Sequence, residues 1–319
     1  MNSFQKNDLI KYGYNGKVKS VKTDIFNLIA DKDTFKIGDR VNSSFKKSSL
    51  LLFNIYGNLT AKKEFLSNGK IINGEINTYD ENNRLIKKKE IDYYGKGSFY
   101  DYNYQYDSKD SLIQFTVSNN NFKRIHKIER DKKNRPIKVI VYQKDTIKYT
   151  AYEVKYDKNN NIIYEKENQV NGNPFIVRKK KYGKKNLVKK EQVIQYFTMD
   201  TIFFENEFVY DKKGKLILKK ENIDNDSTYI ETKYSYYKNG KLKEVKETPK
   251  GMRYSKINIS KFNKYGNVIE SIKFSKKDKS KKIWSYKYKY DPELNWIERI
   301  EYYNNKPNII TKRTIEYYK

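Results

Sequence analysis

His126, in the stretch FKRIHKIER, is the only histidine of the 319-residue chain, and there is no cysteine. Hydrolytic triads and imidazole metal sites need histidine set against further polar groups, so a single strand histidine reads as structural or solvent-facing. Without thiols, disulfides, thiolate metal sites and thiol catalysis are excluded. A metal would have to be held by carboxylates alone. The DNDS at 224–227 lacks the glycine and the terminal glutamate of a calcium loop, and it reads as a turn. GKGS at 95–98 lacks the GxxxxGK[ST] spacing that cradles phosphate. Glu270 and Glu298 are of the type that forms a glycosidase pair, but glutamate is too common on the outgoing strands for the pairing to be specific. The chain is therefore expected to hold no catalytic residue, no metal and no cofactor, and not to be an enzyme.

Binding chemistry is better represented. Aromatic rings beside basic groups stack both sugars and bases, and the chain has 31 Tyr, 16 Phe and 2 Trp. Most of the tyrosines fall at alternating strand positions, where a core role is expected. Tyr14, Tyr56 and Tyr265 fall instead at expected turn tips and are the candidate ligand contacts. Lys+Arg exceeds Asp+Glu by 68 − 39 = 29. Such a field attracts polyanions: nucleic acid, acidic glycans or anionic lipid heads. The lysines are spread along the whole chain, so the excess also fits solvated, Lys-rich strand faces.

The elements that place these residues come from a repeat. Tyr-Asp-x-x-x-Asn-Trp at Tyr290 recurs as YDKKGKL at Tyr210, YDKNNNI at Tyr156, YDENNRL at Tyr79 and YDSKDSL at Tyr106. FNKYGNV at Phe262, FNIYGNL at Phe53, YYKNGKL at Tyr236 and FLSNGKI at Phe65 change the second residue; RDKKNRP at Arg130, YGYNGKV at Tyr12 and YGKKNLV at Tyr182 are weaker copies. The usual spacing between starts is close to 26 residues, and a period in that range marks a repeat architecture. Asp or Asn at the second position caps a type I turn. The fifth position is Gly at 16, 57, 69, 214, 240 and 266 and Asn at 83, 134, 160 and 186, residues that accept the positive φ of a bulged hairpin. Asp110 fits the same role; Leu294 does not.

Each motif is thus expected to join an incoming aromatic strand to an outgoing aliphatic one. Looser turns fall midway, at 95–97, 118–121, 144–145, 171–174, 199–200, 224–227, 249–251, 276–282 and 304–307. In FYDYNYQYD, Tyr100, Tyr102, Tyr104 and Tyr106 alternate with Asp101, Asn103 and Gln105. The expected sheet has one aromatic-aliphatic face and one Lys/Glu-rich face. The fold class is all-β: a long antiparallel β-meander of about 26-residue, two-stranded repeats, coiled into an elongated sandwich, a spiral or a wide barrel, because open sheets rarely exceed about ten strands. Residues 1–319 read as a single β-repeat domain with 1–50 an atypical N-terminal cap. No stretch is apolar enough for a spanning helix, and a lipid-facing barrel would not put mostly Tyr on its outer face.

YDKKGKL, YDKNNNI and YDENNRL resemble the YD repeat of the RHS family. YYKNGKLKE at 236–244 and FLSNGKI at 65–71 resemble MORN-variant repeats, and the chain from Tyr12 onward is similar to repeat proteins common in Bacteroidetes, many of them exported. RHS proteins wind such repeats into β-sheet shells and act at the cell surface. With the absence of a catalytic constellation, the expected function is a non-enzymatic, exported β-repeat binding or scaffold protein of the cell envelope with its ligand unknown, a glycan or an envelope protein being the candidate partner. The alternative is an intracellular polyanion-binding or antitoxin/immunity-type protein. The beginning of the chain shows no run of 7–15 apolar residues, so the expected location is the periplasm or cell surface if a leader was removed, and otherwise the cytoplasm.

Overall fold

The twelve motifs fold as their chemistry demands. In the computed structural model, which describes residues 7–31, 34–41, 43, 46–92, 97–143, 147–223, 228–252 and 255–319, the fifth motif position has positive φ in every copy, Leu294 (φ 63°) included. Where the second residue is Asp or Asn, its side chain ties the loop. Asp157 Oδ1 accepts the N–H groups of Asn159 at 2.8 Å and Asn161 at 2.9 Å, and Asp211 does the same for Lys213 and Lys215. Backbone bonds complete the turn, with Asp211 N–H donating to Lys215 O and Gly214 N–H to Asp211 O. The expected turns at 95–97, 144–145 and 224–227 lie wholly or partly outside the described residues.

The chain divides into two compact units, residues 1–123 with 284–319 and residues 124–283. The first carries a short helix, α1 (Asp8–Tyr12), then β1 (Val18–Asp31), β2 (Thr34–Arg40), β3 (Ser48–Phe53), β4 (Leu59–Phe65), β5 (Ile71–Tyr79), β6 (Leu85–Asp92), β7 (Ser98–Tyr106) and β8 (Leu112–Ser118). The second comprises β9 (Lys123–Arg130), β10 (Pro136–Gln143), β11 (Ile147–Tyr156), β12 (Ile162–Asn168), β13 (Pro174–Tyr182), β14 (Val188–Tyr196), β15 (Thr201–Tyr210), β16 (Leu216–Ile223), β17 (Tyr229–Tyr236), β18 (Leu242–Lys250), β19 (Lys256–Phe262) and β20 (Val268–Ser275). The chain then returns through β21 (Lys281–Tyr290), β22 (Trp296–Tyr303) and β23 (Lys306–Tyr317) to the first unit. The fold is thus an all-β antiparallel meander.

In the second unit each strand from β9 to β20 pairs antiparallel with the next. In the first, β21, β22 and β23 lead into β1, and β3 to β8 follow on its other side. β1 is the N-terminal cap's contribution. It pairs with β23 from Val18↔Tyr317 to Asn27↔Ile309 and with β3 from Ser20↔Leu52 to Thr23↔Ser49, while β2 hairpins on its far end. The two ends of the sequence therefore meet in one ladder.

Around that ladder sits the main apolar cluster: Leu9, Tyr14, Val18, Val21, Leu51, Phe53 and Leu59, with Ile315 and Tyr317 packed against it. Helix α1 is capped by Asn7, whose Oδ1 accepts Ile10 N–H, and is stopped by Gly13 in the left-handed conformation. Its Asp8 Oδ2 accepts the N–H of Leu59 at 2.8 Å, which fixes the helix over the start of β4.

The expected division of faces is corrected by the registers. On β5, Asn73, Glu75 and Asn77 share the face of Tyr79; across the ladders the same face holds Lys62, Glu64, Lys88 and Glu90. In the second unit the face of Tyr182 and Tyr210 carries Glu165, Lys180 and Glu191. The tyrosines sit at the motif end of this face and a belt of paired charges lies farther along it. Such charges are tolerable part-buried because each finds a partner: Lys62 lies 2.8 Å from Glu64 and Lys180 2.5 Å from Glu165. The opposite face has the expected solvated pairs, such as Lys289 with Glu298 at 2.8 Å.

Candidate functional site

In the first unit, the tyrosine face of β4 to β8 and helix α1 line a half-open pocket of about 500 Å³. β5 differs from its neighbours at this point. β7 fills the alternating positions behind its motif with Tyr104, Tyr102 and Tyr100, whereas β5 fills them with Asn77, Glu75 and Asn73. Small polar side chains where the repeat elsewhere places rings leave the space, and rings from β7 wall it.

Its polar groups are held in order. Asn77 is buried; its Nδ2 donates to Leu59 O at 2.9 Å and to Glu75 Oε1 at 2.8 Å. Both bonds use the amide nitrogen, so the amide orientation is fixed, and Asn77 Oδ1 is left buried with no donor. Tyr79 donates to the same Leu59 carbonyl at 2.9 Å. Lys88 Nζ lies 2.5 Å from Glu90 Oε1 and 3.8 Å from Glu75 Oε2, and Asp8 is paired with Lys11 at 3.0 Å.

Burial pushes the Tyr79 phenol well above its ordinary range, and the negative charges of Asp8 and Glu75 add to the effect. Burial also raises Tyr104. Burial favours a neutral Lys88, but the Glu90 hydrogen bond and the negative charges of Glu75 and Glu90 together outweigh it and raise its pKa. The site is thus a set of neutral phenols, an oriented amide and internally matched ion pairs. It can accept and donate hydrogen bonds and present ring faces, and its Asp8 and Glu75 carboxylates are engaged.

The residues singled out by sequence are placed as follows. Tyr14 is 7% exposed and belongs to the apolar cluster, so its expected position at an open turn tip is corrected: the β1–β23 ladder folds it inward. Tyr56 is exposed at its turn, where its backbone carbonyl accepts Asn7 Nδ2. Tyr265 is exposed too, with Lys264 Nζ 5.1 Å from its ring centre. None of the three lines the cavity.

His126 is half-buried on β9, and burial together with Arg124 lowers its pKa, so it is neutral at pH 7. Glu270 and Glu298 each meet a lysine across a strand, Lys261 at 2.6 Å and Lys289 at 2.8 Å. The DNDS stretch lies outside the described residues. Among the described residues no group of three metal-type ligands occurs, and no helix is long and apolar enough to cross a membrane. Sequence reasoning missed Glu75, Asn77 and Lys88. The signal for the first two was present in INGEINTYD, where polar residues replace apolar ones at the period of two.

No protein-family model matches the chain, and no curated protein matches it. Solved structures with some likeness include the crystal structure of TcdB2-TccC3-TEV (TM-score 0.33, 9% identity, 91% of this chain and 19% of that chain). The Photorhabdus luminescens Tc holotoxin pore is similar to the same degree (TM-score 0.32, 10% identity, 91% and 18%). A porin-like protein from Bacteroides uniformis aligns over 95% of this chain and 98% of its own, with a TM-score of 0.31 and 9% identity. The chain spans about a fifth of the toxin chains. At these TM-scores the likenesses carry no argument about activity.

Proposed function

We propose that this chain is a non-enzymatic β-repeat binding or scaffold protein of the cell envelope, and that the cavity beneath α1 is where it binds. The observation that carries the reading is the lining of that cavity. Phenol rings and hydrogen-bonding side chains surround a space whose charges are already matched, which suits a hydroxyl-rich ligand such as a glycan. Ring faces cover the C–H surfaces of a sugar, and the phenol and side-chain polar groups around them meet its hydroxyls. The envelope location is supported by the resemblance of the motifs to exported repeat proteins.

Two measurements test this. Cell fractionation with the intact mass of the mature chain should recover it outside the cytoplasm. Titration calorimetry against neutral oligosaccharides should give saturable binding that falls at least tenfold in Tyr104→Ala. Cytoplasmic recovery together with no saturable heat from any oligosaccharide would sink the proposal. The excess charge of +29 then favours the second reading, an intracellular polyanion binder or immunity-type partner of an acidic protein. Its signature is affinity that falls steeply with salt.

A further inference from the structure

β22 and β23 of the first unit bring two arginines together on the tyrosine face. Arg299 stands opposite Thr311 in the ladder, with Arg313 two residues farther along the partner strand. Both guanidiniums lie on one indole: Arg313 is 3.3 Å and Arg299 5.3 Å from the centre of the Trp296 ring. Tyr14 flanks Arg313 at 5.2 Å, and Tyr286 flanks Arg299 at 5.7 Å. The turn before β22 and the residue pattern W-x-x-R on one strand, with R two residues past the facing Thr on the other, create the pair.

Among the described residues neither charge has a carboxylate partner. Arg299 Nη2 donates to the Thr311 hydroxyl at 3.4 Å, and its guanidinium also hydrogen-bonds the Tyr288 phenol across the ladder. Glu301, two residues along the same face, is taken by Lys46 at 2.8 Å and by Asn308 at 3.0 Å. Asp291 accepts the Tyr317 hydroxyl at 2.5 Å. The Nε of Arg299 and the Nε of Arg313 are both buried with no acceptor. Burial draws Arg313 down to about 10, far below the guanidinium range; Tyr14 opposes that fall and Arg299 deepens it. Two like charges held side by side at low dielectric repel, and ring faces offset only part of that cost. Unpaired buried charge is the arrangement proteins ordinarily resolve with a counter-charge.

We infer that Arg299 and Arg313, walled by Trp296, Tyr14 and Tyr286, form a binding site for an oxyanion group, a carboxylate, sulfate or phosphate carried on a ligand. Guanidinium forks match such groups in plane and charge. An oxyanion at the solvent-open edge of the two guanidiniums would neutralise the repulsion that burial strengthens. The two side chains remain partly open to solvent, so the anion has access. The inference does not rest on the cavity beneath α1 or on where the protein resides.

The test is titration calorimetry of the full chain with galacturonate, inorganic sulfate and inorganic phosphate, at constant ionic strength held with chloride. At least one is expected to bind saturably, and its identity separates a sugar acid from a sulfate or a phosphate source. Affinity should fall at least tenfold in Arg313→Met and in Arg299→Met. Thermal unfolding without anion supplies the second readout. Arg313→Met should leave Tm unchanged or raise it, because one of two repelling charges is gone, whereas a merely structural arginine would lower Tm on removal. If Arg313→Met fails to fold, Arg299→Met and Arg313→Lys carry the same comparison. Binding by none of the three anions, binding no better than chloride, or affinity unchanged in both methionine variants overturns the site. Loss of oligosaccharide binding in Tyr104→Ala reports on the cavity alone, so the two proposals fail separately.

Discussion

Tyr106 donates its hydroxyl to the backbone carbonyl of Leu85 at 2.9 Å, and the bond repeats through both units. Tyr79 meets Leu59, Tyr156 meets Pro136, Tyr182 meets Ile162, Tyr210 meets Val188 and Tyr236 meets Leu216, all at 2.8–3.0 Å. The acceptor is always the first residue after the turn of a motif that starts 26–28 residues earlier, which for Tyr79 is the Phe53 motif. There the ladder to the next strand begins only two residues later, at Lys87↔Asn103 in the case of Leu85. The bulged turn leaves a carbonyl with no strand donor, and the phenol of the next repeat supplies one. This explains why the motif opens with tyrosine more often than phenylalanine.

Removing one of these clasps should cost a single hydrogen bond. Tyr210→Phe keeps the ring and strips its hydroxyl from the Val188 carbonyl. Stability in denaturant unfolding is expected to fall by about 1 kcal/mol. An unaltered midpoint would mean that solvent satisfies the carbonyl equally well.

The turn positions offer two opposite substitutions. Gly214 has φ +84°, and an added Cβ would meet only Leu187 Cδ1 at 3.6 Å, so the cost of Gly214→Val is purely that of the backbone. Stability should drop by more than about 1 kcal/mol. Leu294 holds the same conformation at φ 63° and carries the strain already, so Leu294→Gly should raise the unfolding midpoint. Equal effects at the two positions would refute the conformational account.

Asn295, 3% exposed, clamps the chain's N-terminal turn. Its Oδ1 accepts Asn15 N–H at 2.8 Å, and its Nδ2 donates to Asn15 O at 2.9 Å and to Tyr317 Oη at 2.7 Å. Asn295→Ala would strand several part-buried groups, and a loss of about 2–3 kcal/mol is expected. Hydrogen exchange should quicken first at the β1–β23 ladder; uniform quickening across both units would contradict a local clamp.

Alkali should unfold the protein cooperatively. Burial raises Tyr102, Tyr288 and Tyr317 from 10.0 to about 12, with Glu90 and Asp291 adding to the first and last. A phenol whose pKa is higher folded than unfolded contributes stability fully below pH 10 and loses it as pH climbs toward 12. Tyrosinate absorbance should therefore lag behind free tyrosine above pH 10 and then rise together with loss of the strand circular-dichroism signal. Simple titration of all tyrosines near pH 10 with the fold intact would rule this out.

The amino-acid sequence by itself specified the turns, and through them the strands. Asp or Asn at the second motif position and Gly or Asn at the fifth act within five residues, so Asp157 and Gly214 do in the structure what their types require. Even Leu294, which broke the rule by type, obeys it in conformation, because eleven other copies and the ladders on either side impose the bulge.

What lay beyond the sequence depends on residues far apart. Tyr14 has the look of a turn-tip ring, yet β1 pairs with β23 across almost the whole chain and draws it into the cluster with Leu9 and Phe53. Lys62, Glu64 and Lys88 read as solvent charges, but register across three strands puts them on the tyrosine face, where they pair. The cavity beneath α1 and the Arg299–Arg313 pair likewise arise only when separate strands are set side by side. Period and turn chemistry are local and survive in a linear reading. Which side chains face one another across a ladder is a tertiary property, decided by how the strands are laid down together.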